Sequence, residues 1–169
     1  MEIGLVPIRL LRSVGIGLIT VTVVVYHNPE CGTSRNVIEM IRASGIDPVV
    51  IEYLETGWTR PQLLGLFAAA NLTPREALRT SKSPAEELGL TDTSVDDEAL
   101  LDAMLIHPVL VNRPLVCSPK GVRLCRPSEK VLEILDNSGS ETFTKEDGEV
   151  VKRDRLTGSS ANNVGCATS

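Results

Sequence analysis

Cys31 stands at the join between a run of β-branched residues, Val21 to Val25, and a segment with helical apolar spacing, Val37, Ile38, Met40 and Ile41. A cysteine at such a junction meets backbone N–H groups that have no intrahelical acceptor, at the positive end of the helix dipole. Both effects favour thiolate over thiol, and the same geometry favours a bound oxyanion. His27, four residues earlier, offers a positive charge or a hydrogen bond, and Ser34, three residues later, faces back toward the same helix end. A lone cysteine after a strand is more often a small buried hydrophobe. The neighbours here (His27, Asn28, Pro29, Gly32, Thr33, Ser34, Arg35) are polar, small or helix-breaking, which does not suit a core position. The pattern is that of a reactive thiol.

Three arginines add a second kind of chemistry. Arg79 ends a segment that opens at Thr73, and taken alone it reads as a solvated surface charge. Arg113, in Val111-Asn112-Arg113-Pro114, and Arg126, in Leu124-Cys125-Arg126-Pro127-Ser128, occur inside apolar, tightly turned segments, where a surface residue is less expected. The proline after each fixes the local backbone, which suits a positioned side chain. Guanidinium groups hold tetrahedral oxyanions through paired, charge-assisted hydrogen bonds, and their permanent charge lowers the pKa of a thiol beside them.

Size and composition bound these readings. A chain of 169 residues suffices for one domain with a real core. With 17 Lys+Arg against 22 Asp+Glu the net charge is −5, which argues against general affinity for nucleic acid but not against a small anion held by local arginines. Cys31, Cys117, Cys125 and Cys166 lack zinc-ligand spacing, so no metal site is expected. They are too few, in too large a chain, for a disulfide framework, and a reducing cytoplasm fits best. Met1 to Thr20 is apolar with Arg9 and Arg12 ahead of its hydrophobic run, as in a weak signal peptide. That run passes straight into Val21–Val25 without a convincing small-residue cleavage site, and it is too short to span a bilayer comfortably. Residues 1–19 are expected to be an extension with no part in the fold, and no membrane association is expected.

The elements that must position these residues can be read in order. A helix is expected from about Ser34 to Ser44, stopped by Gly45. Val49 to Tyr53 reads as a second buried strand, giving a right-handed βαβ unit with parallel strands. Short helices follow, announced by Thr59 before Pro61, by the capping box Thr73-Pro74-Arg75-Glu76 and by a second, Ser83-Pro84-Ala85-Glu86. A longer helix starts at Ser94 and ends at His107-Pro108. Leu115–Cys117 and Val122–Leu124 read as a hairpin turned by Ser118-Pro119-Lys120-Gly121. Pro127-Ser128-Glu129 opens a last clear helix, and Phe143 to Glu146 is assigned a short terminal one. Residues 152–169 read as a disordered Gly/Ser/Asn-rich tail. The order β-α-β, helices, β-β-α is the thioredoxin-type arrangement with a helical insertion. Arg113-Pro114 is a candidate cis peptide, since a cis proline before this strand lies beside the cysteine loop in such folds.

The set His27-Asn28-Pro29-x-Cys31-Gly32-Thr33-Ser34-Arg35-Asn36, Leu78-Arg79, Asn112-Arg113-Pro114 and Leu124-Cys125-Arg126-Pro127-Ser128-Glu129 resembles the glutaredoxin-coupled arsenate reductases, over about Thr20 to Val151. The resemblance implies an α/β, thioredoxin-like mixed four-stranded sheet with a helical insertion, in an arsenate reductase domain spanning 20–151. It implies Cys31 as nucleophile, Arg79, Arg113 and Arg126 as the oxyanion-holding residues, and His27 and Ser34 as tuning the thiolate. It further implies arsenate as substrate, glutathione as co-substrate and glutaredoxin as partner, in a monomer with no bound cofactor. The terminal extensions and the stretch Thr80 to Pro84 depart from the family pattern. Serine stands at position 34 where a dithiol oxidoreductase has its second cysteine, so an outside thiol is needed, with Cys125, beside Arg126, as the alternative resolving thiol. A phosphatase-type cradle would need arginine six residues after the cysteine, where this chain has Val37. A CxxC thiol sensor would lack the arginines, and a general glutathione-dependent oxidoreductase would leave them idle.

Overall fold

The computed structural model describes residues 22–136, 142–153 and 160–161. Its centre is β1 (Val24–His27), where residues alternate across the sheet: Val23, Val25 and His27 are buried on one face, and half-buried Tyr26 points to the other. The chain then forms α1 (Gly32–Ala43) and returns in β2 (Val49–Glu52), which pairs parallel to β1. α1 ends in a Schellman motif: Gly45 N–H donates to the Arg42 carbonyl and Ile46 N–H to that of Ile41, with Gly45 at φ +79°. β3 (Leu115–Ser118) pairs antiparallel to β1, and β4 (Gly121–Leu124) antiparallel to β3. The result is a mixed four-stranded sheet in the order β2-β1-β3-β4, the expected thioredoxin-like arrangement.

Between β2 and β3 lies the helical insertion: α2 (Tyr53–Thr56), α3 (Arg60–Ala70), α4 (Pro74–Ala77) and α5 (Asp97–Ile106), followed by a 3₁₀ turn at Pro108–Leu110. Thr59 and Thr73 both form full capping boxes, with Gln62 and Glu76 respectively, each a contribution of about 1 kcal/mol. The insertion covers one face of the sheet, where Tyr53, Leu63, Phe67, Leu100 and Met104 pack against Leu115. The other face is covered by α1 and a 3₁₀ helix, Ser128–Ile134, with Val23, Val25, Ile41, Val116 and Leu135 at its centre. Each of these fully buried aliphatic side chains contributes about 1.5–3 kcal/mol of hydrophobic transfer free energy.

Several expectations are corrected. β2 is not a buried strand: it forms the sheet edge, and Val49 is 50 % exposed. Ser83-Pro84-Ala85-Glu86 opens only a run of turns: the Ser83 hydroxyl accepts from the Ala85 N–H at 3.4 Å and donates to the Arg79 carbonyl, but no regular helix follows. α5 is capped by Asp96, whose carboxylate accepts from Ala99 N–H at 2.8 Å, and not by Ser94. The last helix is of the 3₁₀ type. Phe143 lies in β5 (Thr142–Thr144), not a helix, paired antiparallel with β6 (Val150–Arg153). Lys152 and Arg153, assigned to a disordered tail, belong to β6, which also pairs with β7 (Ser160–Ala161). The expected extension over residues 1–19, and Cys166, lie outside the described residues.

Candidate active site

Strand register brings three segments to one end of the sheet. Tyr26 sits opposite Leu115 in the antiparallel β1–β3 pair, so the chain leaving β1 toward Cys31 lies beside the chain entering β3 from Arg113. Leu115 is opposite Leu124, and the Cys125 N–H donates to the Pro114 carbonyl at 2.9 Å, which adds the Arg126 segment. Both Arg113-Pro114 and Arg126-Pro127 are cis; only the first was expected. Arg79 joins through an isolated antiparallel bridge between Leu78 and Val111. Arg79 N–H donates to the Leu110 carbonyl and Asn112 N–H to that of Ala77, each at 2.8 Å. The Tyr53 hydroxyl steadies the same strand by donating to the Val111 carbonyl at 3.4 Å.

The convergence creates a cleft of about 500 Å³ lined by Cys31, Asn28, Lys82 and all of Arg79, Arg113 and Arg126. Arg79 is 8 % exposed and Arg113 7 %. Among the described residues no carboxylate forms an ion pair with any of these three guanidinium groups. Arg79 Nε donates to the Ser81 carbonyl at 2.7 Å, and the buried Nε of Arg113 has no protein partner. Arg126, read from its apolar setting as less expected at the surface, is exposed, whereas burying Arg79 and Arg113 side by side is costly and a nearby anion would relieve both their repulsion and their lost hydration.

Cys31 is the N-cap of α1, 7 % exposed, in extended backbone conformation. Burial pushes its thiol up, but the N–H and hydroxyl of Ser34 and the charges of Arg113 and Arg126 outweigh that effect, leaving the pKa below its ordinary value. Ser34 Oγ is buried with no other hydrogen-bond partner, so its proton is free to turn onto the sulfur. His27 behaves differently. It shares the β1 face of Val23 and Val25 and lines a separate cavity with Arg35, Ile38 and Glu52. Burial depresses its pKa, with Glu52 opposing and Arg35 acting in the same direction as burial, which favours the neutral imidazole.

Asn28 and Lys82 were not anticipated as cleft residues. Asn28 builds the loop: its carbonyl accepts from Cys31 N–H at 3.0 Å and its Oδ1 from Glu30 N–H at 2.8 Å. The Asn-Pro turn was the available signal. Lys82 reaches the cleft from a turn with φ +51°, which the sequence does not announce. Cys125 lies outside the cleft, fully buried in the core beneath α1, where burial drives its thiol far up. Among the described residues no cluster of His, Cys, Asp and Glu could hold a metal ion, and no helix is long and apolar enough to cross a membrane.

Cys31, its pKa below the ordinary value, thus shares one cleft of a thioredoxin-like sheet with three guanidinium groups that no carboxylate pairs among the described residues. The chain belongs to the ArsC family, whose sequence profile matches residues 26–134. It is 64 % identical over 133 residues to the arsenate reductase ArsI2 of Synechocystis, covering 79 % of this chain and 95 % of that protein. An arsenate reductase of Escherichia coli is 54 % identical over 132 residues, covering 78 % and 94 % respectively. Among solved structures, the arsenate reductase from Vibrio cholerae superposes with a TM-score of 0.65 at 40 % identity, covering 69 % of this chain and 99 % of that one.

Proposed function

We propose that this protein reduces arsenate to arsenite, with Cys31 as nucleophile and an external thiol, glutathione, as reductant. The observation that carries the reading is the convergence of three guanidinium groups, without carboxylate partners among the described residues, on one thiol of lowered pKa. Arsenate, a tetrahedral oxyanion, is held among Arg79, Arg113 and Arg126 through paired, charge-assisted hydrogen bonds. The Cys31 thiolate attacks arsenic, forming an S–As bond, and one arsenate oxygen leaves as water after protonation. The glutathione thiolate then attacks Sγ, the S–As electron pair passes to arsenic, and As(V) departs as As(III). Two thiols have become one Cys31–glutathione disulfide, supplying the two electrons. Glutaredoxin resolves that disulfide by thiol exchange and returns Cys31 to the thiolate.

The need for an outside thiol is supported by Ser34 occupying the position of a second active-site cysteine and by Cys125 lying buried away from the cleft. Such chemistry requires a reducing compartment, in keeping with a cytoplasmic protein, and every residue it uses comes from one chain, as a monomer would supply them. The test is arsenate-dependent NADPH oxidation with glutathione, glutaredoxin and glutathione reductase supplied. Turnover by the wild type that vanishes in Cys31→Ser supports the reading. A wild-type protein that is inert toward arsenate while its thiol still alkylates readily refutes it.

A further inference from the structure

The β5–β6 hairpin lies beyond the part of the chain matched by the family profile, yet its loop grips both halves of the site. The hairpin loop runs from Lys145 to Glu149, with Gly148 at φ +88° and its N–H donating to the Lys145 carbonyl at 2.9 Å. Glu146 forms a two-pronged ion pair with Arg35, Nε to Oε1 at 2.7 Å and Nη2 to Oε2 at 2.9 Å. Its backbone N–H donates to Asn36 Oδ1 at 3.1 Å. Arg35 in turn donates through Nη1 to the Pro29 carbonyl, two residues before Cys31. Fork geometry of this kind fixes a guanidinium in orientation as well as place.

Lys145 reaches the other way. Its ammonium lies between Glu129 and Glu149, and the side chains of Lys145 and Glu129 are 9 % and 3 % exposed. Glu129 follows Arg126 by three residues, at the start of the 3₁₀ helix. Burial would push the Glu129 carboxyl up, but Lys145 holds it below its usual range. A buried ion pair is specific in its geometry, because losing either partner strands a charge.

We propose that Lys145 and Glu146 are positioning residues for the reaction centre, holding the cysteine loop through Arg35 and the Arg126 segment through Glu129 in fixed relation to each other. The assignment separates Arg35 from the oxyanion-binding set: its charge is spent on Glu146 and on Pro29, and it does not line the cleft. It rests on the reading of Cys31 as the working thiol but not on the identity of the oxyanion.

The experiment measures the pH midpoint of Cys31 alkylation by iodoacetamide, without arsenate, in Arg35→Ala, Glu146→Ala and the double variant. Thermal unfolding is followed alongside. Loosening the loop frees Cys31 from the Ser34 donors, so both single variants raise the midpoint by roughly half a pH unit or more. The double variant shifts it no further than either single one, because both cut the same link. Glu146→Gln, which keeps an acceptor for Arg35, restores part of the shift. Midpoints that move in opposite directions, up without Arg35 and down without Glu146, would show simple charge effects and overturn the proposal. So would lowered unfolding temperatures with midpoints unmoved. Failure of arsenate turnover in the wild type, with the midpoints behaving as described, would count against arsenate alone.

Discussion

Arg79 and Arg113 are neighbours because Leu78 and Val111 pair backbone to backbone, and the two buried guanidinium groups face one cleft, which Glu30 also lines, without an ion pair to either among the described residues. Burial first, and then the charge of Arg113, lowers the pKa of Arg79, as expected for a buried cation beside a like charge. A ligand of opposite sign bound there would relieve both effects.

Oxyanion binding should therefore stabilise the protein. At 100 times its Kd, arsenate or phosphate raises the unfolding free energy by about 2.7 kcal/mol, read as a rise in Tm. Arg113→Ala removes most of that rise. It also lowers kcat/KM for arsenate roughly 10- to 100-fold, as expected for one or two charge-assisted hydrogen bonds. An anion-independent Tm in the wild type contradicts the prediction.

The lowered pKa of Cys31 has a signature in stability as well as reactivity. Its folded-state pKa lies below the ordinary thiol value of 9.0, so the unfolded state binds the proton more tightly. Stability from this group is fully present above that ordinary value and is lost as pH falls through the folded pKa. Cys31→Ser removes this pH dependence, as urea unfolding at several pH values will reveal. Ser34→Ala raises the alkylation midpoint toward the ordinary thiol.

His27 gives an acid limb instead. Its folded pKa is depressed below 6.5 by burial, so the unfolded chain takes up the proton first as pH falls. Stability should decline from about that ordinary value down to the folded pKa, and His27→Gln should flatten this part of the profile. A limb that persists in the variant would assign it to other groups.

Cys125 is a core residue in this fold, packed with Val116, Val131 and Leu135 on the α1 face. Cys125→Ala should cost about 1 kcal/mol of stability, within the usual range for trimming a small core side chain. Glutathione-dependent turnover should persist. Its loss at a temperature where the variant remains folded would make Cys125 the resolving thiol.

Much of this was legible in the sequence because the signals are local. The Gly45 stop, the Thr59 and Thr73 caps and the hairpin closing at Pro119-Lys120 each depend on a few adjacent residues. Arg113 and Arg126 were legible from their apolar, proline-flanked settings, whereas Arg79 entered only through the family resemblance and the cavity that His27 lines was not read from the sequence. What local pattern could not decide was sheet position and tertiary competition. Val49 to Glu52 has the composition of a central strand but ends at an edge, and Ser83 caps only a run of turns although its hydroxyl accepts from the Ala85 N–H. Phe143 to Glu146 forms a strand and loop because Lys145 and Glu146 are drawn to Glu129 and Arg35, distant in sequence.

The most direct test of the account is to incubate the reduced protein with arsenate and glutathione in the absence of glutaredoxin, then map modified cysteines by peptide mass spectrometry while measuring arsenite. A glutathione disulfide on Cys31 that forms only with arsenate, with one arsenite released per disulfide, is the predicted result. A disulfide that forms equally without arsenate, or that appears on Cys117 or Cys125 with Cys31 left unmodified, would contradict the account.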